Sequence, residues 1–72
     1  MNKIVIDLDI FETIKDFHLW LKEVCQFPDY YGCNLDALAD CLSDNRDLVL
    51  EVLPSAKYKE YRDLLVRVIE GE

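Results

Sequence analysis

Seventy-two residues, 51% of them hydrophobic and 32% charged, bound one small soluble domain with a modest core and exclude an intrinsically disordered chain. Fifteen acids against eight Lys and Arg give a net charge of -7, which disfavours nucleic acid and anionic membranes as partners and favours something basic. A solvated acidic surface that serves solubility is the plainer reading of the same balance.

No apolar run approaches membrane-spanning length, and Met1 to Phe11 lacks the basic start and small-residue cleavage site of a secretion signal. Three cysteines form an odd set in a short chain without such a signal, so reduced thiols in the cytoplasm are expected rather than a disulfide framework. Cys25, Cys33 and Cys41 lack the paired spacing of a zinc site, and a single histidine is at hand to help them. Neither a metal nor a cofactor is expected.

Lys3 to Leu8 alternates Ile4, Ile6 and Leu8 on one side with Val5 opposite, the pattern of a first strand buried on much of both faces. Thr13 is a good helix N-cap, with Asp16 three residues on. Ile14, Phe17, Leu21, Val24 and Cys25 then recur on one face of a helix expected over Ile14 to Cys25. His18 and Trp20 flank that face. A histidine there can be a general base, but no nucleophile stands at a defining distance in sequence, so a structural histidine at the core edge is favoured. Trp20 reads as core or core rim.

Pro28 pushes the preceding residue out of the helical region and ends any continuation of the first helix. Tyr30 and Tyr31 are adjacent in an extended loop, so one packs inward and the other shows its ring to solvent or a partner. Gly32 supplies backbone freedom before Asn34, a strong N-cap for a second helix over Leu35 to Leu42. Leu35, Leu38 and Leu42 form its buried stripe, and Asp36 and Asp40 share a different face.

Two readings of those aspartates stand open. Asp36, in the first turn, is helped by the helix dipole. Asp40 lies nearer the negative end and repels Asp36 by a few tenths of a kcal/mol, roughly the i,i+4 like-charge value. The pair is a solvated face, or it is two carboxylates held side by side for a cationic ligand. No Lys or Arg lies between Lys22 and Arg46, and Asp29 and Asp44 add to the local charge, which tilts the balance towards the ligand.

Ser43, Asp44 and Asn45 form a turn, and Asp47 to Leu53 reads as a second strand that pairs in parallel with the first. Pro54 and Ser55 stop that strand and cap a last helix. Its apolar face is Tyr58, Tyr61, Leu64, Leu65, Val68 and Ile69, with ion pairs available at Lys59–Asp63 and Asp63–Arg67. Gly71 and Glu72 follow as the helix end.

The run FPDYYGCNLDALADCL, Phe27 to Leu42, resembles the signature of the barstar family, small intracellular ribonuclease inhibitors. The core of the likeness is YYG-x-NLDAL. It extends more weakly to the DFH of Asp16 to His18 and to the strand at Leu48 to Leu53. The resemblance implies a small α/β domain with a short parallel sheet and about three helices, and no catalytic role. It implies a basic ribonuclease of the barnase type, or a nuclease toxin to which the chain gives immunity, as the partner. In that picture Tyr30 packs against the enzyme's active site, and Asp36 and Asp40 meet its cationic side chains, Asp40 reaching deepest. Cys33, Asn34 and Ala39 belong to the same partner-binding surface, with Tyr31, Gly32, Leu35 and Leu38 supporting it.

Three departures accompany the likeness. Ala39 stands where the family usually has tryptophan, and Cys33 replaces a residue that is often acidic. The family fold also has a third strand after its last helix, beyond the 72 residues here. A two-stranded sheet leaves an edge open to pairing with a second copy or to coverage by the last helix. The family's acidic contact from the last helix has only Glu60 or Asp63 as counterparts. The alternative function is an acidic interaction module for a basic partner that is not a nuclease. A third reading, acid–base catalysis by Asp36, Asp40 and His18, ranks last because the chain lacks a phosphate loop and volume for a substrate pocket.

Overall fold

Short apolar-alternating segments at either end of a helical stretch build the sheet. In the computed structural model, which describes residues 2–71, strand β1 (Asn2–Ile6) pairs in parallel with β2 (Leu48–Val52), from Asn2 opposite Leu48 to Ile6 opposite Val52. Parallel neighbours need a long crossover, and it carries helices α1 (Ile14–Val24) and α2 (Leu35–Asp44). Helix α3 (Lys59–Glu70) follows β2. The molecule is an α/β fold of three helices and a two-stranded parallel sheet, as expected. No helix among the described residues is long and apolar enough to cross a membrane.

The sheet is buried on one face only, which corrects the expectation for β1. Ile6 and Leu50 enter the core, whereas Val5 is 48% exposed and a Lys3–Glu51 ion pair of 3.1 Å spans the outer face. β1 also stops two residues early. The Asp7 carboxylate accepts from the Asp9 backbone N–H and opens a short 3-10 turn, Leu8–Ile10, which still delivers Leu8 to the core.

Beyond that turn, Asp9 ties the end of β1 to the segment after β2. Its carboxylate accepts from the Ser55 hydroxyl at 2.6 Å and from the backbone N–H groups of Lys57 and Ala56 at 3.2 and 3.3 Å. Ser55 Oγ in turn accepts from the Tyr58 N–H, so it caps a turn one step ahead of α3 rather than the helix itself.

The core is centred on Ile6, Leu8, Phe17, Leu21, Leu38 and Leu65, all inaccessible to solvent. Phe17 and Leu21 occupy the expected face of α1, but Val24 is 44% exposed because the helix ends beside it. On α3 the expected Leu64 is 47% exposed. At about 100° per residue the stripe through Tyr61, Leu65, Val68 and Ile69 leaves Leu64 beyond its edge. Neither expected ion pair of α3 forms among the described residues; Asp63 instead lies 3.9 Å from Arg62. Gly71 ends α3 in the left-handed conformation, and Glu72, read with it as the helix end, lies outside the described residues.

The free edge of β2 is partly covered by α3. Arg62 Nη2 donates to the Val52 carbonyl at 3.1 Å. A hollow of about 490 Å³, lined in part by Leu48, Leu50, Val68 and Ile69, continues along the same edge.

Candidate functional site: a tyrosine loop and an acidic helix

Helix α1 closes before Pro28 is reached, which corrects the assignment of the stop to that proline. Gln26 turns left-handed at φ 56°, its N–H bonds the Glu23 carbonyl, and the Phe27 N–H bonds the Lys22 carbonyl at 2.9 Å. This pair of reversed bonds satisfies the last carbonyls of α1 and turns Phe27 into the core.

From Phe27 the loop divides its two tyrosines as expected. Tyr31 is buried against the Phe27 ring, 5.0 Å between centroids, and Tyr30 is 86% exposed. Tyr31 goes inward because His18 awaits it. The imidazole Nδ1 lies 2.7 Å from the Tyr31 hydroxyl and Nε2 lies 2.6 Å from the Tyr61 hydroxyl. His18 is therefore deeper than the expected core edge, inaccessible to solvent and engaged at both nitrogens. It stands on α1, bound to two tyrosines, and is not brought together with Asp36 and Asp40 as the acid–base reading requires.

Burial holds the His18 pKa below the ordinary imidazole value and pushes Tyr61 up to about 12. Tyr31 is raised further, by burial first and by its neighbouring thiols second. A neutral ring here donates through one nitrogen and accepts through the other, which satisfies both hydroxyls without placing a charge in the core.

The backbone freedom expected of Gly32 is used by Cys33 instead. The left-handed residue is Cys33, at φ 53°, and Gly32 is needed for space. A Cβ on Gly32 would stand 3.1 Å from Asn34 Nδ2 and 3.5 Å from the Ala37 methyl. Asn34 uses both ends of its amide, Oδ1 accepting from the Ala37 N–H at 2.7 Å and Nδ2 donating to the Gly32 carbonyl at 3.2 Å. The N-cap of α2 thus also fixes the loop that carries Tyr30.

Helix α2 buries Leu38, half-buries Leu35 and Leu42, and leaves Asp36, Ala39 and Asp40 exposed. It runs two residues further than expected, so Asp44 is helical and continues the Asp36–Asp40 stripe for another turn. None of the three carboxylates is ion-paired among the described residues, whereas Asp29 lies 3.9 Å from Lys22.

A groove of about 540 Å³ runs between the tyrosine loop and α2. Tyr30 contributes to it from the loop, and Ala37, Asp40, Cys41 and Asp44 from α2. Burial raises the Cys41 pKa, and Asp44 and then Asp40 raise it further, so both carboxylates act on the lining of the groove. Of the residues expected at the site, Tyr30 and Asp40 share this groove. Asp36 lies one turn away along the helix, Ala39 is exposed outside the groove, and Asn34 and the half-buried Cys33 form the helix entrance. Gln26 and Asp44 also line the groove; Gln26 was not expected there, and Asp44 was expected only as added local charge. The i,i+4 spacing of Asp44 from Asp40 was a signal, hidden by reading Ser43 to Asn45 as a turn.

Fold and site together define a small α/β module that displays one tyrosine and an acidic helix while enclosing its single histidine. The family model described as "Barstar (barnase inhibitor)" matches residues 1–70, and the chain belongs to the barstar family. It is 53% identical over 53 residues to the protein named "Putative ribonuclease inhibitor YrdF" of Bacillus subtilis (strain 168), an alignment covering 74% of this chain and 58% of that one. The chain thus matches a little over half the length of this curated relative. No solved structure matches it.

Proposed function

We propose that the chain is a protein inhibitor of a basic, barnase-type ribonuclease, active in the cytoplasm and conferring immunity on the cell that holds the nuclease. An enzyme that cleaves RNA lines its cleft with cations for phosphates, and carboxylates on a capped helix offer those cations an alternative ligand. The inhibitor carries out no chemistry of its own. Its contribution is position: Asn34 fixes the start of α2, and the His18–Tyr31 contact fixes the loop from behind.

The observation that carries this reading is the shared groove of Tyr30 and Asp40. A free aromatic face beside an unpaired carboxylate offers contact area and charge together, and neither must first abandon an internal ion pair. Family membership and the name of the Bacillus relative support the same reading.

Titration of the purified chain into barnase, with RNA cleavage followed at low and moderate salt, tests it. Stoichiometric inhibition is expected. Asp40→Ala should weaken binding by about 2 kcal/mol or more, roughly 30-fold, because it strands the partner's cation in the interface. The same substitution should alter unfolding free energy by no more than about 0.5 kcal/mol, the usual range for an exposed position. A folded sample that leaves cleavage untouched would move the function to a basic partner that is not a nuclease.

A further inference from the structure

Asp44 is placed against the local physics of α2. It occupies the last turn, where the helix dipole disfavours an anion, and that turn holds no Lys or Arg to offset it. It follows Asp40 at i,i+4, so the two like charges repel. It is exposed and has no ion-pair partner among the described residues. Yet it lines the same groove as Tyr30, Ala37, Asp40 and Cys41.

We propose that Asp44 is a specificity-determining residue of this groove, selecting a ribonuclease that carries a lysine or arginine at the rim of its cleft opposite the C-terminal end of α2. This rests on the reading of the chain as a ribonuclease inhibitor and adds to it a cation that the partner must bring. The groove, about 540 Å³ in volume, exceeds the volume of one long cationic side chain, and Asp40 and Asp44 are among its lining residues from α2. An exposed carboxylate at an interface rim acts chiefly during approach. Its signature is therefore the association rate and its salt dependence more than the lifetime of the complex.

The test compares Asp44→Asn with Asp47→Asn, which removes the same charge from an exposed residue that does not line the groove. Association with barnase is measured by stopped flow at low and at high salt, and thermal unfolding is measured on each free chain. Asp44→Asn should slow association about 2- to 5-fold at low salt, the range for one exposed pair, and the difference should close at high salt. It should also raise the melting temperature, since an anion leaves the negative end of α2. Asp47→Asn should slow association less.

Equal slowing by both substitutions would show that only net charge matters, and would overturn the assignment. So would unchanged association of Asp44→Asn, or a loss that persists at high salt. If the unsubstituted chain does not inhibit barnase at all, the inhibitor reading has failed first. If it inhibits and Asp44→Asn matches it, Asp44 alone has been misassigned.

Discussion

At His18 three parts of the molecule meet: α1, which carries it, the tyrosine loop through Tyr31, and α3 through Tyr61. Burial lowers the pKa of the ring and so favours the neutral form, which donates through one nitrogen and accepts through the other. In the unfolded chain the imidazole titrates near about 6.5, so below that pH the unfolded state binds a proton that the native state resists. Stability is complete above that value and falls as the pH drops through it towards the folded pKa. Urea titrations at pH 7.5, 6.5 and 5.5 should show this loss, and His18→Gln should abolish the part due to imidazole. The same variant should cost about 1–3 kcal/mol at neutral pH, because one amide cannot match both ring nitrogens and leaves a buried hydroxyl unpaired. Asp9 responds in a separate window. The Ser55 hydroxyl bond first, with the backbone donors of the clasp, holds its carboxyl below the ordinary carboxylate range. Its contribution is therefore present above about pH 3.9, the ordinary value, and is lost only as the pH falls below it. Sequence alone indicates that one of two adjacent tyrosines turns inward. It does not say which, because the deciding partner lies thirteen residues away on another element.

For α1 and α2 the helix starts were more legible than the ends, whereas for α3 Gly71 marked the end and Ser55 misplaced the start. Thr13 accepts from the Asp16 N–H and Asn34 from the Ala37 N–H, as their side chains dictate. The ends of α1 and of the loop before α2 depend instead on left-handed backbone at Gln26 and Cys33, residues whose side chains give no such signal. A side chain costs about 1–2 kcal/mol in that conformation, and glycine avoids the cost while loosening the unfolded chain. Gln26→Gly should therefore stabilise the fold by about 0.5–1 kcal/mol, seen as a higher urea midpoint at unchanged slope. The C-terminal stretch of α2 was misread for a related reason. Ser43, Asp44 and Asn45 favour turns, but the Asn45 amide donates to the Cys41 carbonyl at 2.7 Å and caps the helix that runs through them. Local preference yielded there to a hydrogen bond available only once the helix had formed.

For the molecule as a whole, parallel pairing was legible because two helices separate the strands, and the exposure of the outer sheet face was not. Val5 was expected on a second buried face of β1, yet it and Val49 of β2 are 48% and 40% exposed. Charge operates at the same scale. A net charge of -7 makes the folded state repel itself, and the three ion pairs among the described residues all involve solvent-accessible side chains that contribute little. Raising sodium chloride from about 0.05 to 0.5 M should therefore raise the melting temperature while slowing association with a basic partner. Opposite responses to one variable separate the global field from the local contacts. If both quantities fell together, self-repulsion would not be a significant cost of the fold.

Trp20 is the single indole of the chain, set against Phe11 and Phe17 at 5.4 and 6.4 Å and absent from the lining of the groove. Ala39 gives the acidic helix no indole of its own. Intrinsic fluorescence is thus optically partitioned. Excited selectively at the indole, the emission of this protein reports the packing around the half-buried Trp20 rather than the groove, whereas Tyr30 and the partner's chromophores respond to contact there. A single cuvette can accordingly follow folding of one molecule and occupancy of the other without an attached dye.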